Sequence, residues 1–197
     1  MPETRQLNLE ATKEFMDALG AGNITKIRQQ LAADPSLPHA RNKNGVSAVV
    51  LAMYSGHRDI AELLSSKKPE LDIFEASSVG NLGRVRELVR QNPGLVNSYS
   101  PDGFTPLGLA SHLGNKDVVQ YLLEKGADVN ATSRNQTGFS PLMAASEDGN
   151  KDIVKLLLAQ GADIHARTND GKTALSFAVE KGHNDVATLL KDHGARQ

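Results

Sequence analysis

Apolar residues recur along this chain in two alternating settings. In the stretch Tyr99 to Asn130, Leu107 and Ala110 lie three apart, on one face of a short helix. Thr105 has the chemistry of its N-cap, Pro106 suits its first turn, and Gly114 stops it. A second helix is predicted from about Asn115, with Val118, Val119, Leu122 and Leu123 as its apolar stripe and Gly126 as its end. Asp102-Gly103, just before the pair, is a turn signal. The second stripe returns as Ile153, Val154, Leu157 and Leu158, followed by Gly161-Ala162-Asp163-Ile164. Upstream, Ile24, Ile27 and Leu31 form a weaker copy, whose first helix is expected to start near Thr12.

The pattern has a period. Thr105-Pro106-Leu107-Gly108-Leu109-Ala110 becomes Ser140-Pro141-Leu142-Met143-Ala144-Ala145, then Thr173-Ala174-Leu175-Ser176-Phe177-Ala178, with Val46 to Ala52 as a looser copy. The glycines after successive copies are Gly22, Gly56, Gly80, Gly114, Gly149 and Gly182, spaced by 34, 24, 34, 35 and 33 residues. A supersecondary unit of this size cannot bury its apolar faces alone, so neighbouring copies must stack.

These registered copies resemble the ankyrin-repeat family, whose T-P-L-H-x-A signature and 33-residue period they follow. The resemblance implies an all-α solenoid of about six stacked helix-turn-helix units with short β-turn fingers, at approximately 9-38, 43-70, 71-97, 101-131, 136-166 and 169-195. A single domain over 1-197 is expected. The signature histidine is replaced by Val50, Gly108, Met143 and Ser176, which puts the family's inter-repeat histidine bonding in doubt. The 24-residue spacing removes about ten residues between Leu64 and Phe74, so one finger is expected to be missing between the second and third units. The first and third units end in Asp34-Pro35 and Asn92-Pro93, where proline enforces the stop. The fifth unit's turn, Arg134 to Gly138, is expected to hold one extra residue, and the polar close Lys191 to Gln197 suits a terminal repeat.

Composition narrows the function. The formal net charge is -1, so no strong field gathers nucleic acid or anionic membrane. There is no cysteine, hence no disulfide, Cys-based zinc site or Cys nucleophile. Met1 to Leu9 is polar and shows no signal peptide, no apolar run is long enough to span a membrane, and a cytoplasmic protein is expected.

The chain carries no H-E-x-x-H, G-x-S-x-G, Walker-type loop or G-x-G-x-x-G. His57 and His183 fall at one repeat position and read as structural, as do Asp128 and Asp163. Lys67-Lys68 and Arg84, Arg86 and Arg90, with Glu87 among them, read as solvated charge. No catalytic residue, metal or cofactor is expected.

By the resemblance, a protein partner is met by the concave surface of turns and first helices. Register assigns Tyr54, Val79, Tyr99, Asp102, Phe104, His112, Leu113, Arg134, Phe139 and Asp170 to that surface. Its middle is apolar and its C-terminal part is charged, through Glu147, Asp148, Glu180 and Lys181. Tyr99, Phe104 and Leu113 are the expected anchors, although Phe104 and Phe139 share one slot and equally suit a cover over the turn. A non-catalytic binding module that is a monomer is the expected protein; a self-associating structural homodimer and a small enzyme with an unrecognised site are the alternatives.

Overall fold

The structure is a computed structural model that describes residues 2–196, with side chains from 10 onwards; the expectations that fall on Met1 and Gln197, and on the side chains before Glu10, lie outside the described residues. The chain divides into two compact units, Met1–Glu75 and Ala76–Gln197.

In the first unit α1 (Pro2–Gly20) pairs with α2 (Ile24–Ala33), and α3 (Ala48–Tyr54) pairs with α4 (Arg58–Lys67). Phe15, Leu19, Ile27, Val49, Ile60 and Leu64 are wholly buried and form its centre. The first helix begins ten residues before the expected Thr12 cap, because no glycine or proline between Glu3 and Leu19 interrupts it.

Five residues separate α4 from α5 (Ile73–Val79), and no glycine turn stands among them. Instead Asp72 caps α5: its Oδ1 accepts from the N–H groups of Phe74 and Glu75, both at 2.9 Å. Glu75 reaches back with Oε2 to the Asp72 N–H at 3.0 Å, a reciprocal cap. Its Oε1 takes the Lys68 ammonium at 2.6 Å, with the two side chains 0% and 8% exposed. Arg41 binds the other Asp72 oxygen at 2.9 Å. Lys68 is therefore a buried ion-pair partner, not the solvated charge that its Lys67-Lys68 context suggests.

The second unit continues with α6 (Leu82–Gln91), α7 (Pro106–His112), α8 (Lys116–Glu124), α9 (Pro141–Glu147), α10 (Lys151–Ala159), α11 (Ala174–Glu180) and α12 (Asn184–Asp192). First helices α7, α9 and α11 pack side by side, as do second helices α6, α8, α10 and α12. Val118, Val119, Leu122, Ile153, Val154 and Leu157 face this core, as their spacing predicts. The short helices are set by their caps. Ser47, Thr105, Ser140 and Thr173 each accept the N–H three residues on, at 3.0–3.3 Å, so the residue in the signature-histidine slot serves through its backbone.

Inter-repeat bonding is present, carried by a different residue. Asn115 Nδ2 donates to the Ser77 and Ser78 carbonyls at 2.8 Å, Asn150 Nδ2 to Ser111 at 3.3 Å, and His183 Nε2 to Glu147 at 2.9 Å. In the first unit His57 Nε2 faces the Gly20 carbonyl at 3.4 Å. Each of these side chains lies over the preceding repeat's glycine. At Gly149 the backbone holds φ +70° and an added Cβ would stand 2.5 Å from the His183 ring. In this chain the residue after the glycine thus carries inter-repeat bonding.

A second set of clamps joins the helix-to-turn segments. Asn97 donates to the Gly126 carbonyl at 3.1 Å and accepts from Asp128 N–H at 2.9 Å; Asn130 does the same to Gly161 and Asp163 at 3.3 and 2.8 Å. The carboxylates of Asp128 and Asp163 accept from the N–H two residues on, which accounts for their recurrence.

Candidate protein-binding surface

Four tight turns stand before the first helices. One spans 41–47, where Asn42 N–H bonds the Val46 carbonyl at 2.9 Å. The other three lie in the second unit and share one device. A buried hydroxyl at the base, on Ser100, Ser133 or Thr168, accepts the N–H of the residue closing the turn, at 2.8–3.0 Å. The same hydroxyls bond the carboxylate or amide at the tip, on Asp102, Asn135 and Asp170. The turn from Ser133 to Phe139 spans six steps, against four from Ser100 to Phe104 and from Thr168 to Lys172. Its insertion is therefore two residues, where the glycine spacing suggests one.

Adjacent turns are tied to each other through the backbone. Arg134 N–H donates to the Gly103 carbonyl at 2.8 Å and Asn169 N–H to that of Thr137 at 3.1 Å. Asn135 and Asn169 add side-chain bonds to the Asp102 and Gln136 carbonyls, at 3.2 and 2.8 Å. An added Cβ at Gly103 would lie 2.8 Å from the Asn135 nitrogen, so glycine permits this approach.

On this row the register-assigned residues occupy distinct places. Tyr99 and Arg134 come together, the guanidinium 3.7 Å from the ring centre, with Arg134 exposed and Tyr99 half-buried. Phe139 meets Phe177 of the next repeat edge-on at 4.8 Å, a packing contact that favours its covering role. Phe104 and Leu113 are half-buried, as are Tyr54 and Val79 at the ends of α3 and α5. Asp102 is half-buried and Asp170 exposed at the tips of their turns.

Charge concentrates at the ends of the first helices. His112 Nδ1 bonds Asp148 at 2.6 Å, Lys181 bonds Glu147 at 3.1 Å and Lys172 bonds Glu180 at 2.7 Å. The hydrogen bond to Asp148 raises the His112 pKa above 6.5; burial opposes the rise, the Asp148 and Glu147 charges add to it, and Lys181 subtracts. The partners His112 and Asp148 sit in successive repeats, and nothing in the local sequence couples them.

A raised native pKa means that folding binds a proton. The stabilisation is complete below the unfolded value of about 6.5 and is lost as pH rises through the native value. The stability difference between the protein and His112→Gln should accordingly be largest below pH 6 and shrink in alkali, read from urea midpoints across pH. A pH-independent difference would remove the coupling.

Among the described residues no three His, Asp or Glu side chains gather as a metal site, and no helix is long and apolar enough to cross a membrane.

Capped helix pairs, bonded to one another through their turns within the second unit, define a helical repeat protein that displays turn residues. A model of ankyrin repeats matches the chain in three copies, over residues 15–133, 73–168 and 131–197. The chain belongs to the ankyrin-repeat family. It is 34% identical over 120 residues to ankyrin repeat and SAM domain-containing protein 6 of Danio rerio, covering 56% of this chain and 16% of that protein. It is 31% identical over 168 residues to serine/threonine-protein kinase TNNI3K of Mus musculus, covering 79% and 17%, respectively. It is 36% identical over 184 residues to E3 ubiquitin-protein ligase Ufd4 of Drosophila melanogaster, covering 92% and 6%. The matched region is thus a small fraction of each relative. Ankyrin repeats are generally protein–protein interaction modules and typically non-catalytic.

Proposed function

We propose that this chain is a non-catalytic module that binds a protein partner across the turns and the exposed ends of the first helices. One observation carries the reading: the turns are locked to each other by backbone bonds, while Arg134 and Asp170 project from them into solvent. A row fixed before the partner arrives loses little conformational entropy on binding. Tyr99, held under Arg134, supplies a rigid aromatic surface to that row, and Leu113 and His112 at the end of α7 add to it. Asp102, Phe104, Phe139 and Val79 complete the surface as half-buried border.

The same reading takes residues 1–197 as one domain with no finger between the second and third units, acting as a cytoplasmic monomer that needs no cofactor and binds no nucleic acid. The balanced charge and the five-residue link before α5 support it.

The test is capture from a native lysate by the protein and by a Tyr99→Ala/Leu113→Ser/Arg134→Glu variant. Captured species should fall at least tenfold while the circular-dichroism melting midpoint moves by only a few degrees. Equal capture by the two would overturn the assignment of the surface.

A further inference from the structure

Away from the turns, α6 and α8 enclose an open pocket of about 440 Å³, lined by Arg86, Val89, Arg90, Pro93, Tyr121 and Lys125. Its floor is apolar: Val89 is 4% exposed, and Pro93 and the Tyr121 ring stand beside it. Its rim is cationic. Arg86 and Lys125 each lie 5.5 Å from the centre of the Tyr121 ring. Glu87 accepts from Arg84 at 2.9 Å and from Gln91 at 3.2 Å, and its charge also acts on Arg90, while Glu124 accepts from Gln120 at 3.0 Å. None of Arg86, Arg90 and Lys125 forms an ion pair among the described residues. Arg86, Arg90 and Lys125 are exposed, as their mixed-charge context suggests, and Arg86 and Lys125, from different repeats, share one aromatic ring.

Arg84, Arg86, Arg90 and Lys125 outnumber the carboxylates beside them in sequence, Glu87 and Glu124, and an added anion relieves the repulsion that remains. The pocket is too open to bury most of a small ligand, as small-molecule sites do. A whole-chain charge of -1 provides no extended track for a polyanion. An apolar floor ringed by cations matches a chain segment with a bulky apolar side chain between carboxylates. We propose that this groove docks an acidic peptide segment of a protein partner, its apolar side chain on Val89, Pro93 and Tyr121 and its carboxylates on Arg86, Arg90 and Lys125. The site is built from α6, α8 and the residues just after them, with none of the turn residues, so it stands or falls apart from the turn surface.

The probe is the peptide acetyl-Glu-Glu-Phe-Glu-Glu-amide, titrated into the full ¹⁵N-labelled chain. Amide shifts should concentrate at Val89, Arg90, Tyr121 and Lys125, saturate, and weaken with added salt. The Arg86→Glu/Arg90→Glu variant should lose at least tenfold in affinity with its melting midpoint kept; Lys125→Glu gives a second, single-site check. The Lys-flanked peptide and the Gly-centred peptide should each bind at least tenfold more weakly than the probe. Absent shifts, undiminished binding by the variants, or equal shifts with inorganic phosphate alone would overturn the proposal.

Discussion

Glu75→Ala should cost the fold about 3–5 kcal/mol, the range for removing one member of a buried ion pair. The variant leaves the Lys68 ammonium in a site where its side chain is 8% exposed, with its 2.6 Å partner gone. It also frees the Asp72 N–H that Glu75 accepts at 3.0 Å, weakening the start of α5. A double change to Lys68→Met/Glu75→Leu removes both charges together. It should recover most of the loss, leaving about 1 kcal/mol for the lost cap. Urea unfolding of the three proteins measures the set. A loss below about 1 kcal/mol for Glu75→Ala would show that the pair does not hold this junction.

Gly149→Ala should cost about 2–3 kcal/mol. About 1–2 kcal/mol is the strain of a side chain in the left-handed region, and about 1 kcal/mol more is the His183–Glu147 bond that the new methyl displaces. The second part can be isolated. Gly182 holds a similar φ, +78°, with nothing within 4 Å of an added Cβ. Gly182→Ala should therefore cost only the strain, about 1–2 kcal/mol. Equal losses at the two glycines would mean that the residue after the glycine contributes nothing to inter-repeat bonding.

Much of this fold is legible in the sequence because several signals recur in one register. The stripe of Val118, Val119 and Leu122, the cap at Thr105 and the stop at Gly114 are local, and each side chain acts within its own turn of chain. What escapes the sequence is long-range. Asn115 and Asn150 look like ordinary helix starts, yet they bond carbonyls 37–39 residues earlier. Lys68 reads as surface charge until a carboxylate seven residues on closes over it. The start of α1 escapes for a different reason: helix formers run unbroken ahead of Thr12, so a good cap residue has no end to cap.

The proposed binding surface is legible to a similar depth. Register alone puts Tyr99, Asp102, Arg134, Phe139 and Asp170 on or beside the turns, where the structure has them. It cannot pair Tyr99 with Arg134, or His112 with Asp148, because those contacts depend on how neighbouring repeats meet. Nor can it separate Phe139, which packs on Phe177, from residues that face outward. The cationic pocket around Tyr121 is hidden for the same reason, since Arg86 and Lys125 come from different repeats.

The central claim is that the linked turns and first-helix ends receive a protein partner. Hydrogen exchange of the chain, alone and with a captured partner, tests it most directly. Protection should rise across 99–104, 132–139 and 167–172 and at the ends of α7, α9 and α11. A bound partner that leaves all of those segments exchanging as in the free chain would contradict the account.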